Sequence, residues 1–225
     1  AVFAAYWADI RDMVLEFFAG VGDLVHHSTP NPVPPARRLI LLIIVGTLPL
    51  LLVLPVQDLV EGLATNMYFV AGALLVTGCL LFASDRVKKG RKTEKNATLL
   101  DVLLVGVGQA IATCPGSSRS GTTISTGLLC GVRGEVVAQF SFLMVLVPIL
   151  GETFLNVGGG DLASSSVGML PLALGFVSAF LSGLLACRLM IALVKKAKLK
   201  WFALYCLLAG SCALVCGVLE SLWII

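Results

Sequence analysis

The chain has 225 residues, of which 58% are hydrophobic and only 13% charged, with a mean hydropathy of +0.98 and a formal net charge of +3. That balance excludes an ordinary water-soluble domain. The small basic excess is confined to a few loops, where anionic lipid headgroups account for it and nucleic acid is not needed as a partner.

Taken in chain order, residues 1–8 form an apolar stub that reads as the end of a helix, and 22–35 form a loop holding His26 and His27 with Asp23 nearby. That loop is expected to be solvated and interfacial; a metal site there is the less favoured reading. With no initiator Met and no cleavable signal pattern, the sequence is expected to be part of a longer chain. Spans are predicted at 39–55, 67–84, 135–156, 168–192 and 201–225, each near the ~20 residues that cross a bilayer. With the stub, that makes about six. Basic residues cluster at 86–95 and 195–200, with Arg11, Arg37 and Arg38 earlier, while 56–66 and 157–167 hold no Lys or Arg. The positive-inside rule therefore puts loops 85–98 and 193–200 in the cytoplasm.

Alternation has a consequence for residues 99–132. The segment starts after one cytoplasmic loop and ends at Arg133, before a span that must run outward. It must enter and leave on one side, as a re-entrant helix–loop–helix. The predicted fold is all-α, a single polytopic membrane domain over 1–225 with that one re-entrant segment.

The tip of the segment reads Pro115-Gly116-Ser117-Ser118-Arg119-Ser120-Gly121-Thr122-Thr123. An arginine at mid-bilayer costs roughly 3 kcal/mol on insertion scales, so its default reading is functional. The glycines let backbone N–H groups crowd together, and Ser117, Ser118, Ser120 and Thr123 add hydroxyl donors around one fixed positive charge. That inventory fits a phosphate or diphosphate. Gly116, Ser117, Gly121 and Thr123 are candidate substrate-binding positions; Arg119, Ser118 and Ser120 are candidate catalytic ones. Gln109 is expected to satisfy the broken backbone or to reach the substrate. Glu152, near the outward end of its span, either snorkels to the interface or supplements the site. The Gly116-x4-Gly121 spacing lacks the lysine and the preceding strand of a nucleotide-binding loop. Ser118-Arg119 has no following histidine such as acid-phosphatase-like lipid phosphatases carry. The seven cysteines are scattered without a CxxC pair, which argues against a disulfide framework.

Gln109-x5-Pro115-Gly116-x-Ser118-Arg119-Ser120-Gly121-x-Thr123-Ile124, followed by Gly134-Glu135-x2-Ala138-Gln139-Phe140-Ser141-Phe142-Leu143-x5-Pro148, resembles the undecaprenyl-diphosphatase family of bacitracin-resistance proteins. Val45-Gly46-Thr47-Leu48-Pro49 extends the likeness, and residues 1–18 look like the family's third helix. The resemblance implies an inverted repeat with two re-entrant pairs meeting in an outward-facing cavity. It implies hydrolysis of a C55 polyprenyl diphosphate in the bacterial inner membrane, recycling the cell-wall lipid carrier. Its substrate and lipid partners are thereby named, and a homodimer stays open. The family's first re-entrant pair, with a Glu-rich motif and Pro-x-Ser-Ser-x-Gly-His, has no counterpart in this sequence. That pair is where the resemblance places the histidine and the carboxylates that hold a divalent cation (Mg²⁺ or Ca²⁺). Gly175–Ala186 is expected to give close-packed walls for the prenyl groove. A small anion or lipid transporter and a non-catalytic prenyl-diphosphate binder remain the alternatives.

Overall fold

The computed structural model describes residues 2–25, 34–87, 90–158, 169–195 and 199–223. In chain order its α-helices are α1 (Val2–Ala5), α2 (Trp7–Val25), α3 (Pro35–Leu51), α4 (Gln57–Gly62), α5 (Met67–Arg86), α6 (Leu99–Ile111), α7 (Arg119–Leu129), α8 (Gly134–Gly158), α9 (Met169–Lys195) and α10 (Lys200–Trp223). There is no strand among the described residues, only a single bridge between Lys92 and Val132. Local chemistry sets several of the helix starts. Pro35 begins α3, where a missing N–H costs nothing. The Asn66 side chain accepts from the N–H groups of Tyr68 and Phe69 at 3.0 and 3.2 Å and starts α5. Thr98 and Asp101 form a reciprocal capping box at α6.

Five helical runs are long and apolar enough to cross a membrane: Pro35–Thr65, Met67–Arg86, Gly134–Phe154, Leu170–Ala192 and Lys200–Leu222. These match the five predicted spans, and the chain is a multi-pass all-α membrane protein. The stub expected as the end of a sixth span is α1, which bends at Tyr6 into α2. The charges of Arg11, Asp12, Glu16 and Asp23 keep α2 out of the spanning set. The predicted connector 56–66 is built of short helical turns, α4 among them. The other connector, 157–167, lies largely outside the described residues, as do His26 and His27, Lys88 and Lys89, and Lys196 and Lys198.

Small residues set the packing, as expected where lipid removes any hydrophobic drive between helices. Helices α5 and α10 run antiparallel: Gly78 lies against Leu207, Gly210 against Leu75, and the Tyr68 hydroxyl donates to the Gly217 carbonyl at 2.9 Å. Gly106 of α6 sits on the backbone of Gly46 in α3, and Gly46 in turn meets Met144 and Phe140 of α8. Helix α9 is the exception. From Leu170 to Ser182 every residue is exposed, and Gly175 has no neighbour within 4 Å. Its main described contacts are with α1 and α8, and only its last turns, at Met190 and Val194, join a core cluster with other helices. The close-packed wall expected at Gly175–Ala186 is therefore not formed by the described helices.

Helices α6 and α7 make a hairpin whose two ends meet. The Lys92 N–H donates to the Gly131 carbonyl at 3.1 Å, and the Arg133 N–H donates to the Lys92 carbonyl at 2.9 Å. The Lys92 ammonium holds both carboxylate oxygens of Asp101 at 2.8 Å. Entry and exit are thus stapled together at one end of the bundle. With 13 and 11 residues, the legs extend about 20 and 16 Å at 1.5 Å per residue, well short of a ~30 Å hydrocarbon core. The same end collects the start of α3, through the Arg38 guanidinium donating to the Ala97 carbonyl at 3.1 Å. It also collects the α5–α10 junction, where the Leu199 N–H donates to Asp85 at 3.0 Å.

Candidate anion-binding tip of the α6–α7 hairpin

Between α6 and α7 the chain turns through Ala112–Ser118. The Thr113 hydroxyl donates to the Ala110 carbonyl and the Ser117 hydroxyl to the Cys114 carbonyl, each at 2.7 Å. Gly116 has φ +89°, and a Cβ there would collide with the backbone of Val70. Only glycine meets both demands. Ser118 is the N-cap of α7: its side-chain oxygen accepts from the Gly121 N–H at 3.2 Å, and its own N–H reaches the Thr77 hydroxyl of α5 at 3.4 Å. A Cβ on Gly121 would press on that same Ser118 oxygen at 2.9 Å, so the glycine makes room for the cap.

Arg119 is the first residue of α7, at the positive end of the helix dipole. A cation there is disfavoured by roughly 0.3–1 kcal/mol. Its Nε and Nη2 are buried and have no hydrogen-bond partner among the described residues. Each orphaned donor of this kind costs about 1–3 kcal/mol. The first intrahelical amide bond is from Thr122 to the Ser118 carbonyl at 2.8 Å, so the N–H groups of Arg119 and Ser120 precede the ladder. An anion relieves all of these penalties together.

The other candidates divide by position. Ser120 is half-buried and its hydroxyl makes no hydrogen bond among the described residues, although its carbonyl accepts from Thr123 at 3.2 Å. Thr123 is 1% exposed, and its hydroxyl is held by the Arg119 carbonyl at 2.9 Å and by Ser141 of α8 at 2.6 Å. It braces α7 against α8, with its oxygen already engaged by Ser141 and by the Arg119 carbonyl. Gln109 is fully buried, and its Nε2 has no hydrogen-bond partner among the described residues. Its neighbour Gly108 packs against Thr126 and Thr122, which puts Gln109 about one helical turn below Arg119. Glu152 is exposed near the C-terminal end of α8, and no ion pair joins it to Arg119.

Sequence reading passed over the groups that hold the tip from outside: the Val70 backbone, Thr77 of α5 and Ser141 of α8. A lone hydroxyl inside an apolar span was the available signal. Ser84 and Ser125, 3.2 Å apart and buried, belong to the same set. They explain how a helix as polar as α7 stays inside the bundle: α5, α6 and α8 enclose it and match its hydroxyls. Among the described residues no three of His, Cys, Asp and Glu come together. The described residues therefore offer no ready ligand set for the divalent cation that the resemblance implies.

Comparison with known proteins gives one consistent answer. The family model described as Bacitracin resistance protein BacA matches residues 1–212. An undecaprenyl-diphosphatase of Christiangramia forsetii is 44% identical over 175 residues, which cover 77% of this chain and 65% of the relative. One from Parabacteroides distasonis is 44% identical over 168 residues, 73% of this chain and 62% of its own length. One from Methanobrevibacter smithii is 35% identical over 215 residues, 93% and 77% respectively. The chain thus spans a little under two thirds of the first two relatives, and with a match over nearly its whole length it belongs to the Bacitracin resistance protein BacA family.

Proposed function

We propose that the α6–α7 tip grips the diphosphate of undecaprenyl diphosphate and that the chain takes part in its hydrolysis to undecaprenyl phosphate and inorganic phosphate. One observation carries the proposal: the Arg119 guanidinium, at a helix N-terminus, has two buried nitrogens without partners among the described residues. The relatives' name, undecaprenyl-diphosphatase, supports the choice of anion. Phosphoryl transfer needs positioned donors more than covalent chemistry, because charge spreads over the oxygens of the transferred group and the leaving group. Arg119 offers a planar fork to two oxygens. The Ser118 oxygen already accepts from Gly121, which leaves its proton for the substrate, and Ser120 adds a second hydroxyl. Water adds to the terminal phosphorus as the bridging P–O bond breaks, and the prenyl tail lies along lipid-facing helix surface. With the basic loops cytoplasmic, the tip faces the outer side of the bacterial inner membrane.

The test is phosphate release from undecaprenyl diphosphate by the protein in detergent. Arg119→Lys keeps the charge and loses the fork, and it is expected to lower the rate roughly a hundredfold, the usual cost of one transition-state contact. Turnover near the unsubstituted rate removes Arg119 from the site. Binding without turnover is the second reading. It is favoured because, among the described residues, neither Ser118 nor Ser120 is hydrogen-bonded to a carboxylate or imidazole that could act as base. Saturable, Arg119-dependent binding of the diphosphate with no phosphate release selects it.

A further inference from the structure

A cleft of about 400 Å³ opens at the basic end of the bundle, between the first turns of α3 and the segment leading into α6. Arg38 and Leu41 line one wall; Lys95, Asn96, Thr98 and Leu99 line the other. Unpaired cations are not confined to this cleft, since Arg86, Arg91 and Lys200 also form no ion pair among the described residues; what sets the cleft apart is two of them on one concave surface beside exposed leucines. Arg11, Arg37, Lys92 and Arg133 each lie against a carboxylate. Arg38 and Lys95 have none among the described residues. The polar contact of Arg38 is with a neutral acceptor, the Ala97 carbonyl at 3.1 Å, which fixes the guanidinium and leaves its charge uncompensated. Asp101, the carboxylate in the first turn of α6, is neutralised by Lys92 at 2.8 Å. Glu94 lines an adjoining apolar cavity and forms no ion pair among the described residues.

Beside the polar Asn96 and Thr98, the cleft carries two exposed leucines. Leu41 is 54% and Leu99 62% exposed, on helices that sit in hydrocarbon. An occupant must therefore present an anion to two cations and a chain to two leucines. Free phosphate satisfies only the first requirement.

We propose that this cleft binds an anionic phospholipid of the leaflet at the basic end, its phosphate between Arg38 and Lys95 and an acyl chain along Leu41 and Leu99. Basic pockets between spans at this level are suited to such headgroups. The cleft lies at the opposite end of α6 from Arg119, about 20 Å along the helix axis. Occupancy is independent of whether the tip hydrolyses anything.

The experiment is native mass spectrometry of the full chain in detergent, titrated with dioleoyl phosphatidylglycerol or dioleoyl phosphatidylcholine. The first phosphatidylglycerol adduct is expected to bind more tightly than its phosphatidylcholine counterpart, and R38Q/K95Q is expected to weaken it about tenfold. R86Q/R91Q removes the same charge from the same end and is expected to leave it unchanged. Equal binding of the two lipids overturns the site. Equal weakening by both double variants also overturns it, since the attraction is then diffuse. Displacement of the lipid by excess inorganic phosphate overturns the lipid assignment. Lys95→Gln alone breaks no hydrogen bond among the described residues, so it serves if R38Q/K95Q fails to fold. Unchanged phosphatidylglycerol affinity in that single variant is equally fatal.

Discussion

Ser118 caps α7 and, in the proposed function, also offers its hydroxyl to the substrate, and substitution can part the two. As N-cap of α7 it accepts from the Gly121 N–H; replacing it with alanine is expected to cost about 1 kcal/mol of stability. Asparagine caps nearly as well, so Ser118→Asn should restore the thermal midpoint in detergent without restoring a serine hydroxyl to the substrate. If both variants melt alike, the cap is not what holds the start of α7. Gly116 is less forgiving. Its φ of +89° and its approach to Val70 make Gly116→Ala strained by roughly 1–3 kcal/mol. A lowered melting midpoint is expected, and an unchanged one means the turn has another conformation. The sequence made the donor inventory of this tip legible because an arginine among glycines and hydroxyls is chemically odd in an apolar chain. It did not show which hydroxyls the bundle itself consumes. Thr123 looked equivalent to Ser120 in the motif, and only the approach of Ser141 on another helix separates them.

At the scale of the element, the hairpin was legible from charge parity alone. A basic loop before the odd apolar segment, and Arg133 with an outward-running span after it, leave it no route across. The structure supplies what parity cannot: the staple of Lys92 to Gly131 and Arg133, and the pairing of Lys92 with Asp101. Cysteines placed at the exposed positions Asn96 and Arg133 are expected to react with an impermeant maleimide from the same side of sealed vesicles. Labelling from opposite sides means the segment crosses, and the tip assignment falls with it. The existence of the five spans was legible too, since about twenty apolar residues between polar loops leave little freedom, although the first of these helices, α3, runs Pro35–Leu51 against the expected 39–55. The bend at Tyr6 was not, because nothing in residues 1–8 distinguishes the end of a span from the start of a longer amphipathic helix.

Across the whole molecule, which spans lie against which could not be read from hydropathy, because every lipid-compatible face looks alike. Glycines decide it. Gly78, Gly106 and Gly210 each sit where a side chain would strike a neighbouring helix. Gly78→Val would drive a branched side chain into Leu207, for which overpacking costs about 1–3 kcal/mol. Loss of thermal stability in detergent is expected, and a neutral result would mean α5 and α10 do not seat on that glycine.

The hairpin is a cantilever. Clamped at its base by Lys92, it carries Arg119 at its free end. Beyond the base its height is set by lateral struts, of which two bear on α5 near the tip: Gly116 against Val70, and the Ser118 N–H on Thr77. Thr77 is the residue before Gly78, whose other neighbour is Leu207 of α10. A load path therefore runs from α10 through α5 to the N-cap of α7. A helix that contributes no residue to the tip is thus joined to it through α5, and Leu207 is expected to bear on the reach of Arg119 along the bundle axis rather than on its chemistry.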